Sequence, residues 1–247
     1  MQIPAPFFYD QIRRTGHEPD MGKMVAVGQV FLPRTDFGAQ ERCRTIVETE
    51  VLRMGHYIYG WRHVPVNTEV LGEKANATRP EIEQILIRNE KNIDDEQFER
   101  ELYIIRRRIE KAAIAAQIHG LYLCSLSCRS IIYKGMMLAE QVATFYPDLM
   151  DERFESAFAI YHQRYSTNTF PQWWLAQPFR CLAHNGEINT IRGNKNWMKS
   201  HEIKMASLAF GEHSEDIKPV IPAGASDTAA LDAVFETLCR AGRDAPT

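Results

Sequence analysis

Two short apolar runs, Ala157-Phe158-Ala159-Ile160-Tyr161 and Phe179-Arg180-Cys181-Leu182-Ala183, each end directly on a polar cluster. The first cluster is His162-Gln163-Arg164-Tyr165-Ser166-Thr167-Asn168-Thr169, and the second is His184-Asn185-Gly186-Glu187. Short apolar runs bounded by polar and glycine signals read as buried strands. The pattern predicts an arginine and an Asn-Gly pair at the ends of core strands, where rigid backbone can present polar groups to a cleft. A chain built on such a stretch needs a sheet, and the sheet needs cover.

The remaining sequence supplies both. Residues 24–31 read as a buried strand stopped by Pro33, residues 57–62 as a second closed by Pro65, and residues 82–87 as a third. Asp36 is placed to cap a helix reaching about Met54, with Gly55 as its end signal and Ile46, Val47, Val51 and Leu52 as its inner face. A second helix begins at Asp94-Asp95 and reaches about Ala116, and its Arg106-Arg107-Arg108 triplet reads as a solvated, salt-bridged face. Residues 121–126 and 130–134 straddle Ser127-Cys128-Arg129 as a hairpin. Shorter helical signals cover residues 7–14 and 138–145, another is capped by Asn189 and passes Trp197 and His201, and one is capped by Ser226-Asp227 and runs through Leu238. Paired strands flanked by helices favour packed sheets with helical outer layers.

At 247 residues, 45% of them hydrophobic, the chain can bury a sizeable core. A formal net charge of −3 with both signs interspersed gives no basic patch for a nucleic acid or a membrane surface. No apolar run is long enough to span a bilayer and the N-terminus carries no secretory signal, so the cytoplasm is the expected location. Five cysteines, odd in number and scattered, argue against a disulfide framework. Cys124 and Cys128 form a C-x3-C pair with nothing to complete a metal site.

The clusters carry readable chemistry. Amide hydrolysis develops negative charge on the carbonyl oxygen, and donors aimed there are worth several kcal/mol in a dry site. Asn185 offers a side-chain N–H2 and Gly186 a backbone N–H with no Cβ in the way, although Asn-Gly is equally a common tight-turn dipeptide. Arg164 presents a fork suited to a carboxylate, or to a structural ion pair. Asp227 can hold an ammonium group or serve as part of a helix cap. The segment Phe170-Pro171-Gln172-Trp173-Trp174 reads either as a water-excluding lid or as core.

Taken in order, HQRYSTNT, QPFRCLAHNGEINTIRGN and GASDT, with YKGM and FYPDL before them, resemble the class II glutamine amidotransferase domain of the glutamate synthases, a branch of the N-terminal-nucleophile hydrolases. The resemblance covers most of the chain from Gly22 onward and looks closer to the bacterial NADPH-dependent large subunits than to other class II amidotransferases. It implies an α+β fold, a four-layer α/β/β/α sandwich of two mainly antiparallel sheets. It assigns the substrate α-carboxylate to Arg164, the α-amino group to Asp227 and the oxyanion hole to Asn185 and Gly186. In that family L-glutamine is hydrolysed to L-glutamate, and the ammonia passes to a 2-oxoglutarate site in later domains. Those domains carry FMN and a 3Fe-4S iron–sulfur cluster, so no cofactor is expected in this segment, and a small NADPH-oxidising subunit is the expected partner.

The family nucleophile is a cysteine at the first position of the mature chain, its own α-amine acting as base near an unperturbed pKa of roughly 7.7–8.0. Here the chain opens Met1-Gln2-Ile3-Pro4, and QIP matches an interior part of the family pattern. The resemblance therefore implies that residues 1–247 are a partial amidotransferase domain, truncated at both ends and inactive as it stands. A missing core strand would leave an unpaired sheet edge and poor solubility. Two further readings stay open: a non-catalytic glutamine-binding or scaffold module, and an N-terminal-nucleophile amidotransferase with another acceptor.

Overall fold

The computed structural model describes residues 1–164, 170–205 and 208–244. Its centre is an antiparallel sheet of four strands, β1 (Val25–Leu32), β2 (Tyr57–His63), β3 (Glu81–Arg88) and β4 (Tyr122–Ser127), in the order β2-β3-β1-β4. The strand β1 lies between β3 and β4 and is buried along almost its whole length. Its register sets Val27 opposite Leu86 and Phe31 opposite Ile82, and a bulge at Gln29/Val30 shifts its pairing with β4. Gly28 sits where the strands press closest. A Cβ there would come within 2.6 Å of the Ile85 Cγ2 and 3.0 Å of the Leu126 Cδ1.

Alternation along the strands divides the core into two faces. On one face Ala26, Val30, Ile85 and Leu123 meet α2 (Phe37–Arg53) and α4 (Asp95–Ala115), through Val47, Val51, Phe98, Leu102 and Ile105. Both helices begin as the sequence predicts. The Asp36 carboxylate accepts the Ala39 N–H at 2.8 Å and that of Asp94 accepts the Gln97 N–H at 2.8 Å. On the other face Val27, Phe31, Ile82 and Leu86 meet α1 (Ala5–Arg14), the segment around Tyr133, and Trp173. A buried polar network crosses this face: Arg62 donates to both Asp148 oxygens at 2.8 and 2.9 Å, and the Tyr133 hydroxyl donates to the same carboxylate.

Smaller elements complete the fold: α3 (Glu73–Ala77), α5 (Val142–Phe145), α6 (Ile191–Glu202) and α7 (Asp227–Arg240). The described residues contain one sheet, an antiparallel one in a mixed α/β fold.

Several expectations are corrected. Residues 157–161 are not a buried strand; they run exposed, with Phe158 58% and Tyr161 78% accessible. Residues 179–183 form a turn, closed by the Phe179 N–H donating to the Leu182 carbonyl at 2.8 Å. Residues 130–134 form no second arm of a hairpin, because the Ser127 hydroxyl accepts the Arg129 and Ser130 N–H groups and turns the chain away. Leu52 is 59% exposed rather than inward-facing. Arg106 and Arg107 are buried, not solvated: Arg106 bonds Glu110 and Glu236, and Arg107 bonds Glu110 and the Pro219 carbonyl. The cap of α6 is Thr190, not Asn189.

Candidate active site

Helix α7 organises the site. Its N-cap Ser226 accepts the Ala229 N–H at 3.1 Å, which places Asp227 as its first residue. The half-buried Asp227 carboxylate accepts the Thr228 N–H at 2.8 Å with one oxygen and the Ile188 N–H at 3.2 Å with the other. Asp232, 1% exposed, lies five residues further on. One of its oxygens accepts the N–H groups of Cys181 at 2.8 Å and Leu182 at 3.0 Å, and the other accepts that of Arg180 at 3.3 Å. Burial and the neighbouring Glu236 push the Asp232 carboxyl above its ordinary range, against the pull of Arg180 and those backbone donors.

The segment between these contacts carries Asn185 and Gly186. The buried Gln177 side chain fixes its near end: its Nε2 donates to the His184 carbonyl at 2.9 Å and its Oε1 accepts the His184 N–H at 2.7 Å. Ile188 fixes the far end through Asp227. Asn185 and Gly186 stand exposed between the two anchors. A Cβ on Gly186 would lie 2.8 Å from the His184 Cε1, so this glycine is set by close approach of the imidazole.

The structure thus ties Asp227 to Ile188, two residues beyond Gly186. Arg164 lies exposed where the 157–164 segment ends, its N–H donating to the His162 Nδ1 at 3.1 Å. Among the described residues no hydrogen bond or ion pair joins it to Asp227, Asn185 or Gly186. The Tyr165–Thr169 part of its cluster lies outside the described residues.

Two cavities, of about 720 and 840 Å³, share Phe179 and Arg180 as lining. Neither is lined by Arg164, Asn185, Gly186 or Asp227. Of the aromatic segment, Trp173 is core, donating its indole N–H to the Ala75 carbonyl at 3.0 Å, while Phe170 stands exposed at the mouth of the larger cavity.

All five cysteine thiols lie above their ordinary range. Burial pushes the Cys43 thiol to about 11 and that of Cys124 to about 12, and it raises Cys128, Cys181 and Cys239 as well. Among the described residues, no group of three or more His, Cys, Asp or Glu side chains is placed to hold a metal ion.

Gln177 and Asp232 were not legible as site residues. The available signal was a polar stripe, Thr228, Asp232 and Glu236, recurring every four residues on the buried side of α7.

The chain matches the model of the class II glutamine amidotransferases over residues 1–247. It is 66% identical over 244 residues to the glutamate synthase [NADPH] large chain of Azospirillum brasilense, covering 99% of this chain and 16% of that protein. It is 46% identical over 242 residues to the chloroplastic ferredoxin-dependent glutamate synthase of Spinacia oleracea, covering 98% of this chain and 15% of that protein. Against the glutamate synthase [NADPH] large chain of Bacillus subtilis the identity is 41% over 248 residues, 98% of this chain and 16% of the other. The chain spans about a sixth of the length of these relatives. A match to the family model running the whole length, with relatives up to 66% identical over nearly all of this chain, leaves one family reading: the chain belongs to the class II glutamine amidotransferases.

Proposed function

We propose that this chain is the ammonia-generating glutaminase domain of a glutamate synthase, hydrolysing L-glutamine to L-glutamate and supplying ammonia for 2-oxoglutarate. The observation that carries the reading is the 3.2 Å hydrogen bond from the Ile188 N–H to Asp227. It holds the Asp227 carboxylate against the backbone two residues beyond Gly186, which supports the reading, and a carboxylate so engaged keeps lone pairs for a substrate amine. Arg164 takes the α-carboxylate and Asp227 the α-ammonium, while the Asn185 side chain and the Gly186 N–H stabilise the oxygen of the tetrahedral intermediate.

The nucleophile is an N-terminal cysteine of the family type. Burial raises the thiols of all five cysteines of this chain, which favours a nucleophile other than these. The attacking thiolate adds to the amide carbon, ammonia departs on collapse of the intermediate, and water then releases glutamate from the thioester. The domain belongs to the N-terminal-nucleophile α/β/β/α class. FMN, the 3Fe-4S cluster and an NADPH-oxidising small subunit lie outside this chain, and the working compartment is the cytoplasm.

The test is steady-state glutaminase kinetics on the natural full-length protein. Arg164→Ala and Asp227→Asn should each raise KM for L-glutamine by roughly 10- to 100-fold, the loss of a charge-assisted contact. Asn185→Ala should lower kcat by roughly 100- to 1,000-fold. Unchanged KM in both binding variants would refute the reading in favour of a scaffold role.

A further inference from the structure

We propose that Gln177 and Asp232 are positioning residues for the oxyanion hole, an inference that rests on the assignment of Asn185 and Gly186 above. The 177–188 stretch belongs to no sheet, so its backbone groups find no ladder partners. Side chains take their place at defined points. Asp232 collects the N–H groups of residues 180, 181 and 182. Gln177 takes both backbone groups of His184 as a neighbouring strand would, at 2.9 and 2.7 Å. Asp227 takes the N–H of Ile188.

Asn185 and Gly186 are passed over. They make no hydrogen bond among the described residues and are exposed, so their donors stay available to a ligand. Only three residues separate the His184 anchor from the Ile188 anchor, which leaves the Gly186 N–H little room to wander. Both positioning side chains are buried beneath the turn and away from solvent, so they act through the backbone rather than on substrate.

An oxyanion hole acts on the transition state while Arg164 and Asp227 act on bound glutamine, so displacing the hole lowers kcat and leaves KM in place. A displacement near 1 Å costs about 100-fold. The decisive readout is Ki for L-glutamic γ-semialdehyde, whose hemithioacetal oxygen occupies the oxyanion position and whose Ki does not depend on the fraction of active enzyme.

In the full-length enzyme, Gln177→Ala and Asp232→Ala should each raise that Ki and lower kcat by about 100-fold, with KM within about threefold. Asp232→Asn, which retains one acceptor oxygen, should fall between them and the wild type. Should Asp232→Ala fail to fold, Gln177→Glu decides, because it sets an anion against the His184 carbonyl and should raise Ki to the same extent. If Asn185→Ala weakens Ki by 100-fold while Gln177→Ala and Gln177→Glu leave it alone, the inference is overturned and the oxyanion assignment stands. If Asn185→Ala itself changes neither Ki nor kcat, both fall. A rise in KM with Ki unchanged overturns the inference as well, moving these residues to substrate binding.

Discussion

Arg106 separates a surface reading of the α4 arginine triplet from a core reading by several kcal/mol. Its side chain is 4% exposed, donates to Glu236 at 2.6 Å and to Glu110, and lies over the Tyr103 ring at 5.2 Å. A solvated pair would contribute about 0–1 kcal/mol. Here Arg106→Ala leaves Glu236, itself 6% exposed at the side chain, as a buried carboxylate without its partner. Glu110 still has Arg107. Breaking such a pair from one side costs roughly 3–5 kcal/mol, a large share of the 5–15 kcal/mol typical of a folded domain. Removing both charges with Arg106→Met and Glu236→Met should return stability to within about 2 kcal/mol of wild type, since neither carboxylate nor guanidinium is then stranded. Urea titrations followed by circular dichroism measure this, provided m is unchanged among the variants. An Arg106→Ala cost below about 1 kcal/mol, or a double variant whose cost equals the sum of the two singles, would refute the reasoning. The pair joins α4 to α7, so the same loosening should reach the turn that Asp232 holds.

Two further outcomes rest on the same packing. Gly28→Ala should lower Tm by roughly 3–10 °C in calorimetry, an overpacking cost of about 1–3 kcal/mol against Ile85 and Leu126, whereas Gly72→Ala, with nothing within 4 Å of its added Cβ, should not. Acid should destabilise the fold through two carboxyls. Burial pushes Glu110 up, but Arg106, Arg107 and Arg180 outweigh it and hold the group at about 2, and hydrogen bonds from His56, Lys91 and Gln97 likewise hold Glu101 at about 2 against burial. Both folded values lie below the unfolded one, so the stabilisation is complete above about pH 4.5 and is lost as pH falls toward 2. For Glu110, whose side chain is 24% exposed, the loss read from urea midpoints between pH 6 and pH 3 amounts to roughly 2 kcal/mol, with the remainder following as pH falls through 2.

What the sequence disclosed and what it withheld divide along a physical line. Helix starts at Asp36, Asp94 and Ser226 were legible because a cap is a contact between residues three apart, written entirely in local sequence. β1, β2 and β3 were legible as apolar runs that also find ladder partners. Residues 157–161 and 179–183 carry equally apolar runs, yet a strand requires a second segment to pair with, and no local pattern supplies one. For residues 179–183 the competing partner is a single carboxylate, Asp232, which takes three consecutive N–H groups and closes the segment into a turn. The α4 arginines were misplaced for the same reason, since Glu236 and the Pro219 carbonyl reach them from more than a hundred residues away.

The candidate site repeats this division. Asn185, Gly186, Arg164 and Asp227 declare themselves by chemical type and by a resemblance that follows the chain. Gln177 and Asp232 do not, because their role consists in satisfying the backbone of a segment that has left the sheet. A buried carboxylate without a cation as its main partner is costly unless backbone donors surround it. Asp232 meets that condition with the three N–H groups leading into the Asn-Gly turn. The energy that makes burying this carboxylate tolerable is therefore the same energy that holds the turn in shape, and neither can be removed without the other.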